Sequence, residues 1–464
     1  MYRKKAHIHF VGIGGIGMSG IAHILRQQGY TISGCDADIA QKSIHELQHL
    51  GCSIFEGNNT PACADPSIDI VVYSSAIQAV NPEIKAAQQR GIPTIRRALM
   101  LAELMRTKYS IAIAGSHGKT TTTSMVSHIL IETGMDPTVI IGGHLINMSS
   151  NARMGSGDFL VAEADESDRS FLHLQATLAL VTNIDFEHVE TYKDLDDVKE
   201  TYTRFLNNLP FYGKAFICID DQHVQEMLPL PHIKLIKYGI SADAELTAHN
   251  IRLLADRATF DVYWQNEKLG PITLLMPGTH NVLNCLGAIA IALDVGISFA
   301  AIADALAHFK GVERRFWYRG TYNGAEVFDD YAHHPKEIDV ALQVAKQRAK
   351  KKLRVIFQPH RYTRTHRLWH DFIDVLTAHD IDELVITDIY PASEAPIEGI
   401  TTPAFVAALQ AKKPSLVVRY VPYDSAFAAL KKDTASHAKT DDLLLLLGAG
   451  RLTYLATSLC DTTP

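Results

Sequence analysis

A glycine-rich string, Ala114–Thr122 (AGSHGKTTT), is the feature that most constrains how this chain can fold. It follows the apolar run Tyr109–Ile113 and opens a segment, Met125–Ile131, that reads as a helix. A strand, a tight glycine turn and a helix N-terminus in this order build a site for nucleotide phosphates, because backbone N–H groups and the positive end of the helix dipole converge on the anion. Lys119 adds a full positive charge, and Thr120 stands where such loops carry the hydroxyl that binds Mg²⁺.

The string departs from the strict pattern G-x-x-x-x-G-K-[ST], because Ile113 stands where the first glycine should be. A glycine turn with a threonine helix cap is the purely structural interpretation. That interpretation does not explain why a glycine and a lysine stand together after an apolar strand. The string therefore predicts a shortened relative of the common phosphate-binding loop.

Bulk properties limit the class of protein. The chain has 464 residues, which predicts two to four domains, and its 47% hydrophobic and 20% charged residues are typical of a soluble globular protein. A formal net charge of −7 argues against nucleic acid as the main partner. The six cysteines show no metal-ligand spacing, so we expect reduced thiols and no zinc site. The apolar runs are too short for a membrane span and the start lacks a cleavage site, so the sequence predicts a soluble cytoplasmic protein.

Short apolar runs alternate with helical patterns along the whole chain, which is typical of α/β units with mainly parallel sheets. The pattern predicts three domains: a Rossmann-like N-terminal domain (1–107), a central P-loop-type mononucleotide-binding domain (108–312) and a Rossmann-like C-terminal domain (313–464). The predicted strands are His7–Val11, Thr31–Gly34, Asp69–Ser74, Tyr109–Ala114, Phe159–Glu163, Thr177–Thr182, Ala215–Ile219, Ala325–Phe328, Leu353–Phe357, Glu383–Thr387, Ser415–Tyr420 and Leu443–Leu447.

A second glycine-rich string, Gly12–Gly17, satisfies G-x-G-x-x-G between a predicted strand and a predicted helix. Asp36 follows at about 20 residues, the spacing of a dinucleotide-binding fingerprint in which the acid meets a ribose hydroxyl. Taken alone, the string favours an NAD-dependent dehydrogenase, and a tight turn without a ligand stays open. Two phosphate loops imply two nucleotides, however, whereas a dehydrogenase needs one. The string predicts phosphate binding without identifying the nucleotide.

Acidic side chains and a histidine follow two predicted strands, in Glu163–Asp168 and in Asn183–His188. Because ligands sit at the carboxyl ends of strands in parallel sheets, both segments should lie at the edge that bears Lys119. For Asp168 and Glu187, an ordinary solvated strand end is an equally good explanation. Mg²⁺ prefers hard oxygen ligands together with nucleotide phosphates. The set predicted to hold one or two Mg²⁺ ions is Thr120, Glu163 and His188.

The last third of the chain carries two further polar strand ends, Asp329–Pro335 and Gln358–Thr365. Two arginines three residues apart, Arg361 and Arg364, can clamp carboxylate or phosphate oxygens in a bidentate way. An exposed basic turn is the alternative, and the presence of His360 at the same strand end weakens it.

Together these motifs resemble those of the Mur ligase family, the ATP-dependent amino-acid ligases of peptidoglycan synthesis. The resemblance covers essentially the whole chain and is strongest to the branch that adds L-alanine. The motifs that carry it are His9–Gly15, Met18–Gly20, Gly115–Thr122, Glu163–Asp168, Gly278–Asn281, Arg314–Phe316, Asp329–Pro335 and Gln358–Thr365.

The resemblance implies a reaction in which ATP phosphorylates the lactyl carboxylate of UDP-N-acetylmuramate, and the amine of L-alanine attacks the acyl phosphate. It implies ATP and one or two Mg²⁺ ions as cofactors, no nucleic-acid or membrane partner, and a cytoplasmic monomer or homodimer. ATP would be bound by Gly115, Ser116, His117, Gly118, Lys119, Thr120, Thr121, His280, Asn281, Asn284, Arg315 and Asp330. The UDP-sugar would be bound by Gly14, Gly15, Ile16, Gly17, Asp36, Ser74, Ser75 and Arg96. The amino acid would be bound by Tyr331, His333, His360, Arg361 and Arg364, and the catalytic residues would be Lys119, His188, His333, Arg361 and Arg364.

The chain departs from the family pattern in three places. Ser116 replaces the commoner threonine, and Arg451 stands where an aspartate is usual, so Arg451 receives no role. Many relatives carry a carbamoylated lysine beside the second metal, and neither Lys193 nor Lys199 aligns with it convincingly. Three alternatives stay open: a ligase for another amino acid or for a recycled peptide, an NAD-dependent dehydrogenase, and a non-catalytic nucleotide sensor.

Overall fold

The computed structural model describes residues 5–57, 65–74, 77, 78, 80–142, 151–188, 190–241, 243–392 and 394–460. The chain divides into two compact units. The first unit comprises Met1–Arg252, Ala258–Leu275 and Thr279–Lys310, and the second comprises Leu253–Arg257, Met276–Gly278 and Gly311–Pro464. Within the described residues, no helix is long and apolar enough to cross a membrane.

The first sheet of the first unit is parallel and alternates with helices. Its elements are β1 (His7–Val11), α1 (Ile16–Gln27), β2 (Thr31–Asp36), α2 (Lys42–His49), β3 (Ser53–Glu56), β4 (Ile70–Tyr73), α3 (Pro82–Gln89), β5 (Thr94–Arg96) and α4 (Arg97–Met105). The strand order is β3-β2-β1-β4-β5, so the chain leaves β1 in one direction and returns to its other side with β4. A crevice opens at such a reversal, at the carboxyl end of β1.

The second sheet begins with the strand that precedes the phosphate loop. Its elements are β6 (Tyr109–Ala114), α5 (Lys119–Glu132), β7 (Thr138–Ile140), β8 (Ala152–Arg153), β9 (Phe159–Glu163), a 3₁₀ helix (Ser170–His173), β10 (Leu178–Val181), α6 (Leu195–Asn207), β11 (Lys214–Cys218), α7 (Gln222–Gln225), β12 (Lys234–Gly239), β13 (Leu246–Leu253), β14 (Ala258–Trp264), β15 (Glu267–Leu274), α8 (Thr279–Asp294) and α9 (Phe299–Ala307). The order is β15-β14-β13-β12-β11-β10-β6-β9-β7-β8, with parallel pairs on both sides of β6. The carboxyl ends of β9 and β10 therefore flank the loop that follows β6.

Helix α5 is buried over most of its length, from Thr121 to Leu130, and packs against α8. His128 of α5 lies 2.9 Å through its Nε2 atom from the backbone oxygen of Ala305 in α9. A helix buried on all sides carries no clear amphipathic stripe, so its position is set by its neighbours rather than by a solvent boundary. This packing fixes the first turn of α5, which bears Lys119.

The second unit contains a six-stranded sheet with an antiparallel edge. Its elements are β16 (Trp317–Tyr322), β17 (Ala325–Asp330), α10 (Pro335–Arg348), β18 (Leu353–Phe357), α11 (Tyr362–Arg367), α12 (Trp369–Ala378), β19 (Glu383–Ile386), α13 (Thr402–Lys412), β20 (Val418–Tyr420), α14 (Ala428–His437), β21 (Leu443–Leu447) and α15 (Leu452–Cys460). The order is β16-β17-β21-β18-β19-β20, and the five buried leucines of β21 lie between β17 and β18. The strand ends of β17 and β18 are thus separated by one strand.

The predicted α/β class is confirmed, and the predicted strands are present with ends that differ by at most a few residues. The sequence patterns did not predict the antiparallel pairs β14–β15, β7–β8 and β16–β17, which add edges to otherwise parallel sheets. The boundaries of three separate domains stay a prediction, because the first two predicted domains belong to one compact unit and share one apolar cluster.

Candidate active site

The phosphate loop between β6 and α5 depends on two glycines. Gly115 has a φ of 137°, and a Cβ atom there would lie 1.9 Å from Thr182 Oγ1. Gly118 has a φ of 80°, is the N-cap of α5, and would place a Cβ atom 2.5 Å from Asn284 Oδ1. Only glycine combines these backbone angles with such close approach. The loop therefore runs directly against the end of β10 and against α8.

Ser116 and His117 are held by the segment that follows β10. The backbone N–H of Ser116 donates to Asn183 O at 3.0 Å, and that of His117 donates to Asn183 Oδ1 at 2.9 Å. The N–H of Asp185 donates to Ser116 Oγ at 2.8 Å, and His117 Nε2 lies 3.3 Å from Asp185 Oδ2. These contacts hold the loop against the segment that follows β10.

Lys119 is the first residue of α5, and its Nζ atom makes three hydrogen bonds. It donates to Gly115 O at 2.6 Å, to Ser116 O at 3.0 Å and to Glu166 Oε1 at 2.8 Å. Burial on its own would lower the pKa of Lys119, but the charge and hydrogen bond of Glu166 outweigh it and raise the pKa above its ordinary value. Lys119 is therefore a fixed cation at the start of the helix.

The ends of β9 and β10 bring acids and a histidine to the same place. Glu166 is 3% exposed, and its Oε1 atom lies 3.6 Å from His188 Nε2. His188 has a φ of 53°, a left-handed backbone that is costly in a residue other than glycine. Burial alone would lower the pKa of His188, but the Glu166 carboxylate raises it. Glu163 accepts a hydrogen bond from the backbone N–H of Gly142.

Helix α8 carries the remaining residues of this unit that were predicted to contact a nucleotide. Asn281 and Asn284 are buried, His280 is half-buried, and all three lie in the first turns of the helix. Asn284 borders the loop at Gly118, as the Cβ distance above shows. Thr120 lies in the first turn of α5 beside Lys119. The structure therefore brings Asn284 to the phosphate loop.

The first glycine string, Gly12–Gly17, joins β1 to α1 at the reversal of the first sheet. The backbone N–H of Gly14 donates to Asp36 Oδ2 at 2.8 Å, and Ser43 Oγ donates to Gly14 O at 2.9 Å. Gly15 is the N-cap of α1, without a side-chain cap hydrogen bond. Asp36 thus shapes the loop itself, and α1 presents its N-terminus there. Ile16, the first residue of α1, is 46% exposed.

Ser74 directly follows β4 and borders this loop. Its backbone N–H donates to Val11 O at 3.3 Å, and a Cβ atom on Gly12 would lie 3.5 Å from its own Cβ atom. Ser75 lies outside the described residues, and its role stays a prediction.

Two consecutive arginines lie where β5 ends and α4 begins, and they differ in environment. Arg96 is exposed and is the N-cap of the helix. Arg97 packs on the glycine loop, since a Cβ atom on Gly17 would lie 2.7 Å from Arg97 Nη1. Arg97 Nη2 also donates to Asp165 Oδ2 at 2.9 Å, which ties the first sheet to the end of β9. Arg97, which the sequence analysis did not name, therefore lies beside the loop, and the role of Arg96 stays a prediction.

In the second unit, rings from two strand ends form a row. Tyr331 and His333 follow β17, with ring centroids 5.1 Å apart, and His333 lies 5.6 Å from His360, which follows β18. Tyr390 stacks on His360 with centroids 5.4 Å apart and an interplanar angle of 20°. Arg314 lies over the Tyr331 ring at 4.7 Å. The structure thus brings together the residues predicted for the amino acid.

Cationic groups surround His360. Arg364 Nη1 lies 3.4 Å from His360 Nδ1. Burial is the main cause of the lowered pKa of His360, which falls to about 3. His333, Arg364 and Arg361 add to this shift. Arg361 has a φ of 70°, and among the described residues its buried Nε atom has no hydrogen-bond partner. The segment that follows β18 in the second unit is therefore suited to binding an anion.

Asp330 is the last residue of β17 and is almost completely buried. Its carboxylate accepts the backbone N–H groups of Phe316 and Ala332, both at 2.7 Å. Burial raises the pKa of Asp330 to about 6 against the opposing charge of Arg315. Arg315 Nη1 lies 3.4 Å from Glu337 Oε1. Asp330 therefore orders the turn that carries Arg315.

Three segments of the chain match known domains of one family. Residues 7–109 match the Mur ligase family, catalytic domain, 113–292 match the Mur ligase middle domain, and 314–450 match the Mur ligase, glutamate ligase domain. The chain belongs to the Mur ligase family. A UDP-N-acetylmuramate–L-alanine ligase from Desulfotalea psychrophila is 47% identical to this Mur ligase over 99% of both chains. A protein of the same name from Geobacter sulfurreducens is 45% identical, over 97% of this chain and 96% of the relative.

Solved structures of Mur ligases share the whole fold. A UDP-N-acetylmuramate-alanine ligase from Thermotoga maritima has a TM-score of 0.81, 28% identity and 98% coverage of both chains. A murein peptide ligase from Psychrobacter arcticus has a TM-score of 0.72 and 25% identity, covering 97% of this chain and 99% of its own.

The donor atoms at the phosphate loop of this Mur ligase fit a divalent cation. Glu166, Glu187 and His188 each offer one donor atom, all within 4.8 Å of one another. Glu166 Oε2 is buried and has no hydrogen-bond partner among the described residues. Carboxylate oxygens with one imidazole suit Mg²⁺ or Mn²⁺ beside nucleotide phosphates. Sequence reasoning named His188 and not Glu166, although both stand at the strand ends it had singled out.

Proposed function

We propose that this Mur ligase joins L-alanine to the lactyl carboxylate of UDP-N-acetylmuramate through an acyl phosphate, with ATP as the phosphoryl donor. The observation that carries the proposal is the phosphate loop with Lys119 at the N-terminus of α5, between two strand ends rich in metal-ligating groups. The names of the relatives at 45–47% identity supply the substrates.

Transfer of a phosphoryl group needs positioning and charge neutralisation more than covalent help from the protein. Lys119 and the N-terminal N–H groups of α5 would hold the phosphates of ATP. Thr120, Glu163 and His188 would hold one or two Mg²⁺ ions, which screen the phosphate charge when bound. Asn284, which touches the loop, would fix the nucleotide from the side of α8. By family resemblance, His280, Asn281, Arg315 and Asp330 complete the ATP-binding set.

The second unit has the chemistry to bind an amino acid. Arg361 and Arg364 would clamp the carboxylate of L-alanine, because two guanidinium groups at one strand end can bind it with paired hydrogen bonds. His360, with its lowered pKa, stays neutral near pH 7 and adds no charge of its own. His333 Nδ1 lies 3.0 Å from Tyr331 O and 3.1 Å from Glu337 Oε2, so Nδ1 carries the proton.

That tautomer leaves the lone pair of His333 on Nε2. We assign His333 Nε2 as the acceptor of a proton from the alanine amine, which must be uncharged to attack the acyl phosphate. Tyr331 borders the same ring.

The first glycine loop would bind the diphosphate of the UDP-sugar at the N-terminus of α1. Gly14, Gly15, Ile16 and Gly17 would face the phosphates, and Asp36, whose Oδ2 atom accepts the N–H of Gly14, would also contact the UDP-sugar. The further residues proposed for this ligand are Ser74, Ser75 and Arg96.

We also propose domain boundaries at 107/108 and 312/313, supported by the matched ranges 7–109, 113–292 and 314–450. A cytoplasmic location and a monomeric or homodimeric state complete the proposal. Sedimentation at several protein concentrations separates the two oligomeric states.

The test is an ADP-release assay with purified protein, ATP, Mg²⁺, UDP-N-acetylmuramate and one amino acid at a time. We expect ADP to form only when both the UDP-sugar and L-alanine are present, with one amide product by mass spectrometry. Omitting either substrate is the control.

Peptide addition is the second candidate, because the structure also matches a murein peptide ligase with a TM-score of 0.72. The same assay with the tripeptide L-alanyl-γ-D-glutamyl-meso-diaminopimelate separates the two. Turnover with the tripeptide and none with L-alanine would exclude the proposed function.

A further inference from the structure

The bonds of Lys119 leave no donor for a phosphate. An ammonium group has three N–H donors. They are directed at Gly115 O, Ser116 O and Glu166 Oε1, at 2.6, 3.0 and 2.8 Å. In phosphate loops of this kind the lysine reaches the terminal phosphates of the nucleotide. One of the three bonds must therefore be given up when a nucleotide binds.

The bond to Glu166 is the one that conflicts with a phosphate. The two backbone carbonyls are neutral, whereas the Glu166 carboxylate would repel an incoming phosphate across the few ångströms that separate both from Lys119. Glu166 is also 3% exposed, so little water is present to screen that repulsion. A phosphate oxygen would take the position at Lys119 that the carboxylate oxygen occupies.

Displaced from Lys119, the Glu166 carboxylate would need another cation, because an unpaired buried charge is costly. His188 Nε2 is 3.6 Å away, and Glu166 Oε2 has no partner among the described residues. A divalent ion that arrives with the nucleotide would meet both groups. Tyr192 Oη donates to Glu166 O at 2.6 Å and anchors the backbone, so the exchange involves only the side chain.

We propose that Glu166 is a positioning residue that holds Lys119 until the nucleotide binds, and that its carboxylate makes nucleotide binding depend on a divalent cation. The proposal rests on the function proposed above. It assigns to Glu166 a role at a step before phosphoryl transfer, in binding rather than in chemistry.

The test measures binding of a non-hydrolysable ATP analogue by calorimetry, once with Mg²⁺ and once with excess EDTA, for the wild type and for Glu166→Gln. In EDTA we expect the variant to bind about tenfold more tightly than the wild type, because a repelling charge near the phosphates is removed. With Mg²⁺ the two proteins should differ less than threefold. The gain in affinity from Mg²⁺ therefore shrinks in the variant.

Asp168→Asn is the matched control. Asp168 lies two residues from Glu166, and its Oδ1 atom accepts the backbone N–H of Ser170 at 3.0 Å, which an amide oxygen can still do. This variant loses the same charge without a contact to Lys119, so its affinities should follow the wild type. Glu166→Ala removes the charge with a smaller side chain and replaces Glu166→Gln if the latter does not fold.

Unchanged or weaker binding of the Glu166 variants in EDTA would overturn the proposal, since it would mean that Glu166 helps Lys119 in the bound state. A wild type that binds no ATP analogue under either condition would instead overturn the proposed function. The two failures are therefore distinguishable.

Discussion

Replacing Lys119 by alanine tests the centre of the proposed mechanism. Lys119 lies at the N-terminus of α5, and its side chain is 20% exposed, so once a phosphate replaces Glu166 at Lys119 the ammonium group acts as a positive charge with little competing water. Removing such a transition-state partner costs about 3–4 kcal/mol, which corresponds to a fall in kcat of about 10²- to 10³-fold. The assay is ADP release at saturating ATP, UDP-N-acetylmuramate and L-alanine.

Binding of the UDP-sugar, measured by calorimetry, should survive the Lys119→Ala substitution, because its proposed loop lies in the first sheet. Lys193→Ala is the control, since Lys193 is 87% exposed and should leave kcat within about twofold of the wild type. Thermal melting checks that the Lys119→Ala protein is folded. A folded variant that keeps more than a tenth of the wild-type kcat would refute the role given to Lys119.

Three further predictions follow from particular contacts. Gly115→Ala should destabilise the protein by about 1–3 kcal/mol, because the new Cβ atom would lie 1.9 Å from Thr182 Oγ1 at a φ of 137°. The same substitution should abolish nucleotide binding. Urea unfolding measures the first effect and calorimetry the second. Burial lowers the pKa of His9 to about 4, so below pH 6.5 the unfolded state binds more protons than the folded state. The free energy of unfolding should therefore fall by about 2 kcal/mol between about pH 6.5 and 5. A His9→Gln variant whose free energy of unfolding falls equally over this pH range would contradict the prediction. Arg361→Lys replaces a planar guanidinium group, which can bind a carboxylate with two hydrogen bonds, by an ammonium group. In steady-state kinetics, the KM for L-alanine should rise about tenfold or more while the KM for ATP stays constant.

The strands that the sequence predicted best are the ones buried on both faces. β21 is a run of five leucines and β6 is apolar after its first two residues, so neither pattern has a competing interpretation. β13 and β15 were not predicted, because much of each strand is exposed and polar residues interrupt the apolar pattern. β8 has two residues, too few for any periodicity.

At the candidate site, the sequence predicted strand ends and left the contacts between side chains open. The acids after β9 were expected near Lys119, and the structure shows that Glu166 bonds to it, a contact that the sequence analysis did not name; Glu163 as a metal ligand stays a prediction. Arg97, which the sequence analysis did not name, packs on the glycine loop, and neighbouring positions in the sequence do not tell which side chain makes such a contact. Tyr390 lies far from His360 in the chain, so spacing could not reveal the stacking of their rings.

In both units, two strands that flank a central strand carry the candidate site at their ends, but the charged groups at those ends differ. In the first, β9 and β10 flank β6, and their ends surround one lysine with carboxylates. In the second, β17 and β18 flank β21, and their ends carry arginines and histidines. On the proposal above, the carboxylate-rich site takes a nucleotide together with a divalent cation, whereas the arginine-rich site would take an amino-acid carboxylate without one. An enzyme with one substrate that carries both phosphate and carboxylate groups would not need two such different sites. A ligase that takes a phosphoryl group from ATP and adds an amino acid does need them.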